Sequence, residues 1–188
     1  MTQILKGSLK LAHILDALSV NPTDLECTDL GCNVGGFTKE LLERRAKVVH
    51  AIDTGYGALD WNLRQNEKVD VRERTNALHS DWLPPQDLIV SDLAWTRQSH
   101  VIDAAFRYIN KQGTILSLLK PQYEVPRPKG KKKIILSPEE CGEIAQRVFD
   151  EAKRPESHDC SLHDSPIRGG RTNNGNTEFW LVYTPKKP

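Results

Sequence analysis

The chain has 188 residues, 38% of them hydrophobic and 27% charged, with 26 Lys+Arg against 25 Asp+Glu and a formal charge of +1. That length suits one domain with a substantial core and is short for two, so a single domain over 1–188 is expected. The apolar stretches are too short to cross a bilayer and no charged-then-apolar leader is visible, which argues against a membrane protein and for a soluble, cytoplasmic one.

In chain order, strand-like and helix-like segments alternate. "LKLAHILDAL" (9–18) carries apolar residues at helical spacing, with Ser8 as its cap. "LECTDL" (25–30) reads as a short strand, "GFTKELLERR" (36–45) as a helix and "KVVHAID" (47–53) as a buried strand ending in an acid. "GALDWNLRQN" (57–66) reads as a short helix, and "VDVRER" (69–74) and "DLIVSDLA" (87–94) as strands. "HVIDAAFRYIN" (100–110) is helical and "GTILSLLK" (113–120) is a strand. "SPEECGEIAQRVFDEAK" (137–153) opens on a Ser cap with Pro at the first helical position, and "NTEFWLVYT" (176–184) closes the chain as a strand. Such alternation predicts a mainly parallel sheet covered on both faces, with ligands at the carboxyl ends of its strands.

Four cysteines, Cys27, Cys32, Cys141 and Cys160, form no CxxC pair, which suits reduced thiols. "HDCSLHD" sets His158, Cys160 and His163 close together. A fourth ligand at zinc spacing is missing, so a polar strand is expected there and no metal site.

The turn "TDLGCNVGGFTKELL" (28–42) carries Gly31, Gly35 and Gly36. It lacks the Gly-Lys-Ser/Thr ending of a Walker A loop and the GxGxxG spacing of a dinucleotide turn. Asp29 at the strand end would repel a phosphate and suit an ammonium group. Asp53 ends the next strand, where an acid commonly takes both ribose hydroxyls. A ligand with an amino-acid end and a nucleoside end fits both, and S-adenosylmethionine is one. The bland alternative is a tight turn that holds nothing.

"LKGSLKL", "DLGCNVGGFT", "AIDTGYGALDWNLR", "ERTNAL", "LIVSDLAW", "LLKPQYE" and "SPIRGG…GNTEFWL" follow one another in an order that resembles the TlyA (hemolysin A) family. This family is a branch of the FtsJ-like ribose 2′-O-methyltransferases. The resemblance runs over nearly the whole chain. It implies a Rossmann-like class I methyltransferase: α/β, with a central seven-stranded, mostly parallel sheet and helices on both faces. It implies S-adenosylmethionine as methyl donor and ribosomal RNA as acceptor. It also implies a Lys-Asp-Lys-Glu catalytic group, which falls on Lys10, Asp92, Lys120 and Glu178. The donor site would comprise Asp29, Gly31, Gly35, Gly36, Phe37, Asp53 and Asp92, with Asn76 near the adenine. Typical members carry an S4-type RNA-binding domain before this region, whereas this chain starts almost at "LKGSLKL". Their turn reads closer to "DVGASTGGFT"; here Cys32, Asn33 and Val34 intervene with the glycines intact.

Glu178 sits in a strand pattern and Lys10 on an apolar helical face, so each needs an opposite charge if buried. "PRPKGKKK" brings Arg127, Lys129, Lys131, Lys132 and Lys133 next to Lys120, where they would meet RNA phosphates, with Arg168 and Arg171 as an opposite lip. Trp95 and Tyr123 would stack on an extruded base. Two other readings keep the fold: a small-molecule acceptor, or a non-catalytic RNA- or ribosome-binding protein. No amphipathic cationic helix supports direct membrane lysis.

Overall fold

A computed structural model describes residues 5–79, 84–127, 134–153, 155–169 and 175–186. Seven strands run β1 (Glu26–Leu30), β2 (Val48–Ile52), β3 (Val69–Arg72), β4 (Gln86–Ser91), β5 (Ile109–Leu119), β6 (His158–Asp164) and β7 (Phe179–Pro185). The helices are α1 (Lys6–Ala17), α2 (Gly36–Glu43), α3 (Trp61–Arg64), α4 (Gln98–Tyr108) and α5 (Pro138–Glu151). The strands form one sheet in the order β3-β2-β1-β4-β5-β7-β6. Pairing is parallel from β3 to β5, and β7 enters antiparallel between β5 and β6.

Successive side chains alternate across a strand, so each strand feeds two cores. Cys27, Val49, Leu88, Val90, Leu116, Leu118, Trp180 and Val182 meet Leu11, Ile14 and Leu15 of α1 and Phe37 and Leu41 of α2. Leu30, Ile52, Ile89, Ile115, Leu181 and Tyr183 meet α4 through Ile102, Ala105 and Tyr108. Cys141, Ala145 and Val148 of α5 cover Leu119 and Phe179. Each large side chain that is fully enclosed contributes about 1.5–3 kcal/mol. The double-sided burial explains why the central strands read as continuous apolar runs.

The parity has a consequence for chemistry. Asp92 continues the face of Leu88 and Val90, and Lys120 that of Leu116 and Leu118. Glu178 precedes Trp180 and Val182 on the same face. All three carboxylate and ammonium side chains therefore leave the sheet toward α1. The register Leu119↔Phe179 sets Lys120 beside Glu178 one step further on.

Three expectations shift. Helix α1 begins at Lys6, so Ser8 lies inside it and is no cap; its hydroxyl instead donates to Glu40 Oε2 at 2.7 Å. The short helix reduces to α3, capped by Asp60, because Gly57 at φ 72° cannot continue a right-handed turn. Glu178 lies just before β7, at its mouth. The expected Ser cap of α5 is part of a full capping box: Ser137 takes the Glu140 N–H and Glu140 takes the Ser137 N–H. "HDCSLHD" is β6, with His158 Nε2 on the Gly113 carbonyl oxygen at 3.0 Å and His163 Nε2 on Ser161 Oγ at 2.8 Å. Among the described residues no three ligands gather for a metal, and no helix is long and apolar enough to cross a membrane.

Candidate active site

The turn after β1 is held by left-handed residues: Gly31 at φ 88°, Asn33 at φ 47° and Gly35 at φ 95°. A Cβ on Gly35 would stand 2.3 Å from Leu63 Cδ1 and 2.7 Å from Leu59 Cδ1, so this glycine admits α3 and does not face the cavity. Gly36 has another reason. A Cβ there would lie 3.0 Å from the Cα of Gly7, so the N-termini of α1 and α2 touch backbone to backbone. Within "LKGSLKL" the spacing of Gly7 carries no signal without its partner Gly36.

This contact lays α1 across the turn. Glu40 then straps it, accepting from Ser8 and from Arg44 Nε at 2.8 Å, while Arg44 Nη1 reaches Asp16 at 2.6 Å. Phe37 stacks on Trp180 with ring centroids 5.6 Å apart, filling the space beneath α1.

Between α1, the turn and the ends of β2 and β4 opens a cavity of about 890 Å³. Asp29, Gly31, Gly36, Phe37, Asp53, Asn76, Asp92, Lys10 and Lys120 all line it, whereas Gly35 does not. Asp29 is 1% exposed. Its Oδ2 accepts the Thr38 N–H at 2.9 Å and the Thr38 hydroxyl at 2.7 Å, while its Oδ1 is buried without a partner. Burial pushes the Asp29 carboxyl up to about 7, against the bonds from Thr38 and with the nearby charges of Asp92 and Asp53. Asp53 is held by the Asn33 N–H at 2.9 Å and the Gly55 N–H at 2.7 Å. Asn76 is exposed on the wall, its Oδ1 accepting from the Leu78 N–H at 2.9 Å.

Lys10, Asp92 and Lys120 on the wall of this cavity meet Glu178 beside it, and the four form two ion pairs. Lys120 Nζ contacts the Asp92 carboxylate and lies 3.4 Å from the Asp92 carbonyl oxygen. Lys10 Nζ contacts Glu178 Oε2, both nearly enclosed. Burial pulls the Lys120 ammonium down, but Asp92 and then Glu178 outweigh it and hold the group above its ordinary value. Burial pushes the Glu178 carboxyl above the usual range, against the pull of Lys10 and Lys120.

A buried chain on the opposite sheet face ties these strand ends together, and sequence reasoning missed it. Ser91 and Ser117 are joined at 2.7 Å, and Ser117 Oγ is 2.6 Å from Gln98 Oε1. An amide oxygen only accepts, so Ser117 donates to Gln98 and Ser91 donates to Ser117. Gln98 Nε2 donates to the Leu118 carbonyl oxygen at 3.0 Å, and the Gln98 N–H donates to Glu124 Oε1 at 2.7 Å. Ser91 precedes Asp92, and Leu118 is two residues from Lys120, so the chain sets the spacing of the groups above it.

A second cavity, about 520 Å³, opens on the other side of Lys120 and Trp95, which line both. Gln122, Tyr123, Arg127, Asn176 and Glu178 also line it. Trp95 is 66% exposed and held at φ 63°, a left-handed conformation costing a bulky residue about 1–2 kcal/mol. Its ring packs on Tyr123 with centroids 5.0 Å apart, and the Arg127 guanidinium lies 4.7 Å from its centroid. Asn176 pins the far side, accepting from the Leu136 N–H at 2.8 Å and donating to the Ile134 carbonyl oxygen at 2.9 Å. Gly169 passes so near Glu178 that a Cβ would stand 2.6 Å from its Oε1. Arg168 is exposed beside that glycine. Lys129, Lys131, Lys132, Lys133 and Arg171 lie outside the described residues.

A glycine turn with a buried carboxylate, an acid at the next strand end and paired lysines and acids above the sheet define a methyltransferase-type architecture. The FtsJ-like methyltransferase family model matches residues 5–183, and the chain belongs to that family. It is similar to the 16S/23S rRNA (cytidine-2′-O)-methyltransferase TlyA of Mycobacterium tuberculosis, 33% identical over 183 residues, covering 94% of this chain and 66% of TlyA. The 23S rRNA (cytidine-2′-O)-methyltransferase TlyA of Campylobacter jejuni is 29% identical over 148 residues, covering 78% of this chain and 58% of that protein. The chain thus spans under two thirds of the length of these relatives. A solved hemolysin-named protein from Lactococcus lactis superposes with a TM-score of 0.86 at 27% identity, covering 97% of this chain and 88% of that one. The Escherichia coli yhhF structure, at 13% identity and a TM-score of 0.64, shares the fold.

Proposed function

We propose that this chain is a cytoplasmic, S-adenosylmethionine-dependent RNA ribose 2′-O-methyltransferase acting on cytidine in ribosomal RNA. The observation that carries this reading is Lys120, paired with Asp92 and standing between two cavities of nucleoside-holding size. The nucleoside and the RNA are taken over from the names of the TlyA relatives.

The larger cavity suits the donor. The partnerless Asp29 Oδ1 calls for a hydrogen-bond donor, and an α-ammonium provides one with the complementary charge. Asp53 would take the ribose hydroxyls, Asn76 would flank the adenine, and Gly31 and Gly36 line the same cavity. Bound there, S-adenosylmethionine supplies an electrophilic methyl group on a sulfonium centre.

The chain's own residues prepare the acceptor. A ribose hydroxyl is a weak nucleophile, so its lone pair must be aimed or its proton accepted. Lys120 stands ready for that proton once it is neutral, with Asp92 receiving or relaying it. In the free protein Asp92 keeps Lys120 protonated. A cationic ligand nearby would oppose that charge. Lys10 and Glu178 would orient the ribose and brace the central pair. The cationic side chains of 127–133 with Arg168 and Arg171 would bind phosphates on either side.

Incubation with methyl-labelled donor and 30S subunits, 50S subunits or naked rRNA tests the proposal. Label in 2′-O-methylcytidine, lost in Lys120→Ala, is the expected result. Donor binding without any label on RNA would return the choice to a small-molecule acceptor or a non-catalytic binding protein.

A further inference from the structure

Gln122 lines the second cavity and has no part in the reaction chemistry. Gln122 sits between Pro121 and Tyr123, in the 3-10 turn immediately after Lys120. Its Oε1 is buried and, among the described residues, accepts no hydrogen bond. A buried amide oxygen without a donor costs about 1–3 kcal/mol. Its neighbours have their own partners: Asn176 is used on both amide atoms, and Tyr123 packs on Trp95.

The geometry around it favours a flat heterocycle. Trp95 and Tyr123 form an aromatic wall, extended by Arg127 over the Trp95 ring. Lys120 and Glu178 lie at the end of the same cavity, so a nucleoside with its ribose beside Lys120 would carry its base toward Gln122. The left-handed backbone at Trp95 keeps that ring displayed on an exposed surface, which folding alone would not favour.

We infer that the second cavity receives the acceptor base and that Gln122 selects cytosine over uracil within it; this rests on the function proposed above. A carboxamide has one acceptor beside one donor. Cytosine offers the complement, an exocyclic amino group beside a ring nitrogen lone pair. The buried Oε1 meets the amino group, and Nε2 meets the ring nitrogen. With the amide turned as it is here, uracil presents a carbonyl where cytosine has its amino group and sets oxygen against oxygen; the reversed amide would suit uracil, so the choice of cytosine requires Oε1 to stay on the enclosed side where the structure holds it. Selection works by this penalty as much as by attraction.

Cytidine and uridine 5′-monophosphates, titrated separately into the full chain saturated with S-adenosylhomocysteine, test this through the NMR signal of the Trp95 indole. The cytidine nucleotide is expected to shift it at roughly tenfold lower concentration than the uridine nucleotide. Gln122→Leu is expected to erase that preference, with donor binding unchanged by calorimetry; Gln122→Asn, one methylene shorter, should weaken it. Equal responses to the two nucleotides, a preference retained in Gln122→Leu, or no response of Trp95 to either would overturn the inference. The parent reading fails separately. Methylated cytidine in rRNA with no nucleotide preference would sink the role of Gln122 alone. A clear preference with no methylation of any RNA would keep the pocket and sink the reaction.

Discussion

The two sides of Lys120 are built differently. The cavity proposed for the donor is made of strand ends and a glycine turn, with its carboxylates held by backbone N–H groups: Thr38 on Asp29, Asn33 and Gly55 on Asp53. The cavity proposed for the acceptor is made of connections: the turn 121–127, Ile134, and Gly169, Gly175, Asn176 and Glu178 before β7. Its order comes from side chains, through Asn176, the Trp95–Tyr123 contact and Arg127. The contrast teaches a division of labour. On the function proposed above, a donor of constant shape would be met by the pre-formed scaffold, and the choice of acceptor would be written on loops that change without disturbing the sheet.

The largest effect should come from Lys120→Ala, which removes the one side chain the two cavities share at the reacting end. Methyl transfer in single turnover should fall by about 10³-fold or more, while donor affinity measured by calorimetry stays within a fewfold. In the intact protein kcat should climb with pH between 6 and 9, since Asp92 holds Lys120 above its ordinary value and the neutral form must be generated. A flat profile would mean that Lys120 only positions the acceptor.

Next is Gly35→Ala, confined to the donor side. It combines a left-handed backbone with a Cβ 2.3 Å from Leu63, so a loss of about 2–5 kcal/mol in denaturant unfolding is expected, together with donor binding. Full stability would show that the scaffold yields more readily than its packing implies.

Asp29→Asn should act on donor affinity and on its pH dependence. The Asp29 carboxyl sits at about 7 in the folded chain, above its ordinary value of 3.8, so folded protein binds the extra proton between those limits. Ionising it costs the fold stability as pH rises through that window, while the ionised form attracts an ammonium. Affinity for S-adenosylmethionine should therefore rise from pH 6 to 8, and Asp29→Asn should flatten that rise and weaken binding about tenfold at pH 8.

The smallest effect belongs to the acceptor side. Replacing Lys131, Lys132 and Lys133 together by Ala should lower RNA affinity and reduce the slope of log affinity against log salt by about 2. Donor affinity should not move. An unchanged slope would remove this stretch from the RNA-binding surface.

Much of this molecule is local enough to be read along the chain. The start of α5 needs only Ser137 followed by Pro138, and the strands follow from apolar runs punctuated by Gly, Pro and Asp. Asp29 and Asp53 are legible because a parallel sheet delivers its strand ends to one edge. The motif resemblance added Lys10, Asp92, Lys120 and Glu178, the first and last with charges out of place on apolar faces. What the sequence by itself determined is thus the order of elements, the class of fold and the residues at the strand ends, since each depends on periodicity and near neighbours. Only the tertiary structure decided that Gly7 meets Gly36, that Glu40 straps α1 through Ser8, that Gln98 bridges Ser117 and Leu118, and that Gln122 looks into a cavity walled by Trp95. Those contacts join residues tens of positions apart, and their meaning rests on shape and satisfied hydrogen bonds, which no spacing along a single chain encodes.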